Sequence, residues 1–261
     1  MPVSHYPDWD SFEIGSRSAD RPVAYCGDLS PASVLGAYRH GIVPFPAPDE
    51  YVRNFHELQH EEEVADGSIA IIGSLDDDPY WVAWWSPDPR PVIEVGSVHL
   101  GRNVRKQLRR ADEWTTANAA FRRVAEGCRS GREPRWLTDR LLETMVQLHQ
   151  QGWAHSIEVW RDEELIGGAF GVGIGYVLSG DSLFSRRPNA ARVAVADMAA
   201  RFGRAGGVLI GAQWDTPSLR SMGAELIPRS RYLSRLAASA QRSTLPGEPQ
   251  PARRLLPAGR A

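Results

Sequence analysis

Apolar residues recur along this chain with two different periods, and the change between them divides it. Over residues 101–110, Val104 and Leu108 stand four apart among polar neighbours, the spacing of one buried helical face. A second helix is predicted over 117–128, and Thr138 caps a third that runs through Met145 to Gln151 and stops at Gly152. Then the period falls to two. His155-Ser-Ile-Glu-Val-Trp160 and Glu164-Leu-Ile-Gly-Gly-Ala-Phe170 flank the polar Arg161-Asp-Glu163, which predicts an antiparallel hairpin. Residues 175–179 read as a third strand, 190–204 as a helix ended by Gly206-Gly207, and 208–213 as a fourth strand. Asp215-Thr-Pro-Ser opens another short helix, and upstream Ser30-Pro31 opens a helix that Gly41 closes. Strands grouped together and flanked by helices predict an α+β fold.

Composition adds boundaries. Between Asp49 and Asp78 ten carboxylates face Arg53 alone, so the segment is read as a surface insertion over about 47–80. It lies within an N-terminal domain, 1–87, followed by a second domain over 88–240. Beyond residue 240, Pro, Gly, Arg and Ser dominate, which predicts a disordered tail over 241–261. The net charge of −2 hides this asymmetry: outside the acidic stretch the remainder stands at about +7. No apolar run approaches the roughly 18 residues of a membrane span, and the start has neither a basic nor an apolar leader segment. The chain is therefore expected in the cytoplasm, with Cys26 and Cys128 reduced and structural.

Arg102, Arg105, Lys106, Arg109 and Arg110 fall at helical spacing on one face, with Arg122, Arg123, Arg129, Arg132 and Arg135 downstream. A solvated surface helix is one reading. The other is a polyanion site, because no Asp or Glu four residues away offsets the stripe. Three further patterns argue weakly. His56-Glu-Leu-Gln-His60 has the spacing of a zinc protease helix, but it lies in the acidic insertion without a supporting apolar face or an evident third ligand. The alternate glycines from Gly167 to Gly175 match no phosphate-binding loop, and no acetyl-CoA pyrophosphate pattern occurs. Ser182, Ser185, His149 and His155 lack the elbow of a serine hydrolase.

Taken in order, several stretches resemble the leucyl/phenylalanyl-tRNA–protein transferase family. They are Gly27-Asp-Leu-Ser-Pro31, Ala37-Tyr-Arg-His-Gly-Ile-Val-Pro44, Trp84-Trp-Ser-Pro-Asp-Pro-Arg90, Glu126-Gly-Cys128, Trp136-Leu-Thr138, His155-Ser-Ile-Glu-Val-Trp160, Gly180-Asp-Ser-Leu-Phe-Ser-Arg186, and Gly223-Ala224 before Ile227-Pro228. The resemblance implies a small N-terminal domain packed on an N-acetyltransferase-like (GNAT-like) domain. It implies transfer of Leu, Phe or Met from aminoacyl-tRNA to the α-amine of proteins that begin with Arg or Lys, which marks them for degradation. No cofactor, metal or membrane is implied, and a monomer is expected. The basic helix matches the family's acceptor-stem surface, and Trp136 and Phe45 match the rings that stack on the terminal adenine, Phe45 standing where the family has tryptophan. Ala169, Leu183, Val195, Met198, Phe202 and Ile210 match the pocket for the transferred side chain, Ala169 in place of a larger residue.

The resemblance departs at the polar residues. The family's Glu becomes Asp181, its Asp becomes Gly211, and its Gln is kept as Gln213. Asp215 is a candidate to compensate, or else a helix cap before Pro217. Three functions follow: a working transferase with a rearranged acid network; an enzyme that delivers the aminoacyl group to another amine, such as a small metabolite; or a non-catalytic protein that binds the tRNA 3′ end.

Overall fold

The computed structural model describes residues 7–15, 17–73, 77–131, 133 and 135–257. Asp76, Arg132 and residues 258–261 of the expected tail lie outside them.

The N-terminal part runs β1 (Ala24–Tyr25), α1 (Pro31–Arg39), β2 (Val43–Pro46), α2 (Glu50–Gln59), α3 (Glu61–Ala65), β3 (Ala70–Ile71) and β4 (Val82–Trp85). Its strands form a sheet in the order β2-β4-β1-β3. The Ser30 hydroxyl accepts from Ser33 N at the start of α1, Pro31 fills the first turn, and Gly41 turns the exit at φ 69°. The acidic insertion holds α2, α3 and β3. Asp49 caps α2 by accepting from Val52 N, and Tyr51, Phe55 and Leu58 are exposed along it.

The C-terminal part runs β5 (Arg90–Glu94), α4 (Arg102–Leu108), β6 (Glu113–Ala117), α5 (Phe121–Arg129), α6 (Asp139–Gln150), β7 (Ala154–Arg161), β8 (Glu164–Ile174), β9 (Val177–Ser185), α7 (Ala190–Arg204), β10 (Leu209–Gly211), α8 (Pro217–Ser221), β11 (Glu225–Ile227), α9 (Arg229–Ala237) and β12 (Gln250–Pro251). Its sheet has the order β11-β5-β10-β9-β8-β7-β6-β12. The arrangement is α+β. The expected hairpin is present as β7–β8, and Thr138 caps α6 by accepting from Leu141 N. The expected helix over 117–128 is present as α5, but it starts at Phe121 because Glu113 to Ala117 pair with β7.

Helices cover both faces of this sheet at β8. A Cβ on Gly167 would meet Ala190 of α7, while one on Gly168 would meet Val124 of α5, so adjacent glycines admit helices on opposite sides. The burial of nearly all of β8 follows. One core cluster under α7 gathers Ile157, Ala169, Val193, Met198 and Phe202. Another joins Val43 and Trp84 of the first sheet to Val92 and Phe170 of the second and to Tyr232 of α9, so the two parts share one core. Both cysteines are buried and neither is in a disulfide, and burial pushes Cys26 up to about 12. No helix among the described residues is long and apolar enough to cross a membrane.

Residues 241–257 depart from the expected disorder. Gln250 and Pro251 pair with β6, and the segment covers a buried ion pair on α7. Arg201 bonds Asp197 at 2.7 Å and also reaches the carbonyls of Thr115 at 3.0 Å and Glu248 at 2.9 Å, while Arg254 of the tail pairs with Asp197. Proline and glycine here suit an irregular strap whose carbonyls satisfy a buried guanidinium. Asp197→Ala is expected to cost about 3 kcal/mol in urea unfolding, since it leaves Arg201 buried without its charge partner.

Candidate active site

Strands β9 and β10 are parallel, paired from Leu209–Val177 to Gly211–Ser179. Beyond that last pair they part, and a cleft opens at the C-terminal end of β10, where α/β crevices commonly hold ligands. Asp181 enters it through an irregularity. Phe170 pairs with Ser182 and Gly171 with Gly180, so Asp181 is the extra residue of a β-bulge. From the other side come Ala212, Gln213 and Trp214. Gln213 is buried, and its Nε2 donates to Asp181 Oδ1 at 3.1 Å.

Behind this pair lies a packed polar layer. Arg90 is 1% exposed, donates to Gly41 O at 3.2 Å, and stands 4.6 Å over the ring of Tyr232. Burial pushes the Asp181 carboxyl up to about 7, while the Tyr38 hydroxyl, the Arg90 charge and the Gln213 amide pull it back. Asp181 Oδ2 and the Tyr38 hydroxyl are both buried, and neither completes a hydrogen bond of normal geometry despite their electrostatic interaction.

In front lies an apolar cavity of about 250 Å³. Ala169, Leu183, Val195, Met198 and Ile210 line it together with Val92, Ile93, Leu219 and Met222. Phe202, expected among them, lies in the core instead, with its ring against Gly207. An apolar void of about 150 Å³ already accepts benzene, so this cavity has room for a leucyl or phenyl group. Trp214 also lines the cavity and belongs to a run of four rings. Trp136 lies 6.0 Å from Phe45, Phe45 lies 5.6 Å from Trp214, and Trp214 lies 5.7 Å from Trp85.

Asp215 does not join this group. It is exposed and bonds the Arg220 guanidinium through both oxygens, which holds its pKa below the usual value. Neither does it cap α8, a role taken by Thr216. Strand β10 ends at Gly211, so Asp215 does not compensate beside Gln213. Sequence reasoning passed over Arg90, Tyr38, Tyr232 and Trp214, which tertiary packing brings in from distant segments.

The other patterns resolve as structure. His60 Nδ1 lies 2.8 Å from the Tyr25 hydroxyl and His56 Nδ1 2.9 Å from Tyr80 O. No cluster of three metal-ligating side chains occurs among the described residues. His149 stacks on Phe121 at 4.4 Å, His155 is buried with its pKa lowered to about 4 by burial, and neither lines the cavity. Ser185 Oγ accepts from Ala191 N, and Ser182 lines the cavity, whose described lining includes no histidine.

The cationic helix α4 is anchored by Val104 and Leu108, both buried, in the core that α7 covers. Arg102, Lys106, Arg109 and Arg110 are exposed and Arg105 partly so, and none of the five forms an ion pair among the described residues. The helix is shorter than expected: Arg109 is its C-cap and Arg110 follows in the turn. Downstream the cations are engaged instead. Arg122 makes a bidentate pair with Glu143 at 2.7 Å, Arg129 pairs with Asp139, Arg135 with Glu133, and Arg123 stacks on Trp160.

The family model described as "Leucyl/phenylalanyl-tRNA protein transferase" matches residues 92–237. Proteins named leucyl/phenylalanyl-tRNA–protein transferase from Salmonella heidelberg (strain SL476) and Salmonella typhi are each 40% identical over 238 residues, covering 91% of this chain and 89% of their own. The chain belongs to the leucyl/phenylalanyl-tRNA–protein transferase family. Among solved structures, a GCN5-related N-acetyltransferase from Kribbella flavida aligns with 54% of this chain and 55% of its own, at 13% identity and a TM-score of 0.32. A conserved protein of unknown function from Bacteroides thetaiotaomicron aligns with 51% of this chain and 53% of its own, at 11% identity and a TM-score of 0.41.

Within this transferase family the aspartate that the resemblance sets at position 211 has no room here. A Cβ on Gly211 would lie 2.7 Å from Tyr232 Cε2 and 2.8 Å from its hydroxyl oxygen. Tyr232 cannot swing aside cheaply, because it is buried under Arg90. Gly211→Asp is therefore expected to lose about 1–3 kcal/mol in thermal unfolding through overpacking, and not to raise transfer.

Proposed function

We propose that this chain transfers a leucyl or phenylalanyl group (or a methionyl one) from aminoacyl-tRNA to the α-amine of proteins beginning with Arg or Lys, acting as a monomer in the cytoplasm. The observation that carries the proposal is the Gln213–Asp181 pair at the rim of an apolar cavity of leucyl or phenyl size. In this reading the terminal adenine enters between Phe45 and Trp136. A ring, a base and a second ring at van der Waals contact need about 7 Å between the outer two, so a pair now at 6.0 Å opens by about 1 Å. The unpaired cations of α4 meet the phosphates of the acceptor stem.

The donor is an ester and the product an amide, so the step runs downhill without ATP. The α-amine, with a pKa near 7.7–8.0, is partly neutral at cellular pH. Its nitrogen attacks the ester carbonyl, the bond to the ribose oxygen breaks, and that oxygen leaves with a proton. Gln213 uses its amide nitrogen on Asp181, so its carbonyl oxygen is the group left to accept from the amine and turn its lone pair to the ester. Asp181, with a pKa of about 7, is suited to take charge or a proton through this link near neutrality. Most of the rate comes from holding amine and ester together.

The lack of a carboxylate at Gly211, whose place Tyr232 fills, favours keeping a second reading, in which the acceptor is a small amine. One assay separates them: labelled Leu-, Phe- and Met-tRNA with Arg- or Lys-initiated peptides, and in parallel with small amines. Label in the peptides is the expected result. Label only in small amines supports the second reading, and tRNA binding without transfer to either contradicts both.

A further inference from the structure

An acceptor that begins with Arg or Lys brings a cation close to the ester, and something on this protein must meet it. Among the described residues lining the cavity the single carboxylate is Asp181. It is buried, bonded to Gln213 and next to the Arg90 guanidinium, so its charge is already engaged. Asp215 is held by Arg220, and Tyr232 fills the space beside Gly211. A carboxylate clasp for the acceptor side chain is therefore missing from this wall.

What the wall offers instead is aromatic surface. Trp214 follows Gln213 directly, lines the cavity, and is 48% exposed, although tryptophan is usually well buried. It is braced by Phe45 on one side and by Trp85, nearly edge-on at 67°, on the other. Two ring neighbours fix the indole before ligand arrives, so little ordering is lost on binding. The indole face is the best aromatic partner for an ammonium or guanidinium group within about 6 Å. Service to the adenine is the competing role, but Trp136, the ring assigned to that base, does not line the amino-acid cavity and Trp214 does.

We propose that Trp214, braced by Phe45 and Trp85, is the acceptor subsite: the cationic side chain of the acceptor's first residue lies on its indole, in place of a carboxylate. This rests on the transfer reading given above.

The test uses the full chain, Phe-tRNA, and two peptides that differ only in a first residue of arginine or of citrulline, its neutral isostere. Wild type is expected to favour arginine, and Trp214→Ala to shrink that preference roughly 2- to 30-fold, through a higher peptide KM. Trp214→Phe, which keeps a weaker ring, is expected to fall between them. Binding of a non-transferable phenylalanyl-adenosine amide reports the donor side separately. An arginine-to-citrulline ratio unchanged in Trp214→Ala overturns the proposal, as does a loss confined to the adenosine amide, which assigns the ring to the donor. A wild type that labels neither peptide contradicts the transfer reading itself, a result distinct from both.

Discussion

Asp181→Asn is expected to cut transfer about a thousand-fold at pH 8 and to flatten the dependence of stability on pH. The rate effect follows from loss of the one carboxylate behind Gln213, at the usual magnitude for a positioned acid–base or charge-stabilising group. In wild type kcat/KM rises through about pH 7 as Asp181 ionises, with a second rise as the acceptor amine loses its proton near 7.7–8.0. In the Asn variant only the second remains. The stability effect has its own sign. Unfolded, the carboxyl titrates near 3.8; folded, near 7. Between those values the folded state holds the extra proton, so stability falls as pH rises across that window, by roughly 4 kcal/mol in total, and is unaffected by this group below it. Urea unfolding at several pH values from 4 to 8 compares the slopes. A wild-type slope no steeper than that of the Asn variant contradicts the burial argument, and full activity in the variant removes Asp181 from the mechanism.

The second large effect is on tRNA. Reversing Arg102, Arg105, Lys106 and Arg109 to Glu is expected to weaken binding of Phe-tRNA on the order of 10⁴-fold at 0.1 M salt. Each phosphate contact contributes roughly one power of ten there, with a slope of about −0.9 in log affinity against log salt per contact. The five cations on α4 and the turn after it thus predict a wild-type slope of about −4.5 that largely disappears in the variant. Because none of these side chains has a carboxylate partner among the described residues, reversal breaks no ion pair, and Val104 and Leu108 still hold the helix down. Filter binding across salt concentrations gives both quantities, and the adenosine amide, which lacks the stem, should bind the variant as it binds wild type.

How much of this was legible in the sequence depended on whether one segment carried the signal. The β7–β8 hairpin reads directly, since polar 161–163 interrupts two alternating runs. Strand β5 contains Pro91 and β6 follows a cation-rich helix, and neither shows its pairing until β10, β11 and β7 are beside it. The bulge at Asp181 breaks the alternation of β9, so residues 175–179 end the readable part although the strand reaches Ser185. Composition misled at the tail. The available clue lay on α7, where Asp197 and Arg201, four apart on a buried face, require partners from another segment. In the site, Trp136 and Asp181 stand in short motifs and the resemblance places Phe45 and Gln213, whereas Arg90 and Tyr38, although inside such motifs, and Tyr232 show their meeting with Asp181 and Gly211 only in three dimensions. Trp214 had a signal in plain view, an aromatic residue next to Gln213.

The most direct measurement is a crystal structure of the chain with the phenylalanyl-adenosine amide. The account predicts adenine between Phe45 and Trp136 with those rings opened to about 7 Å, the phenyl group against Leu183 and Met198, and the amide carbonyl within reach of Gln213. An analogue bound with its phenyl group outside that cavity, or with its base away from both rings, contradicts it.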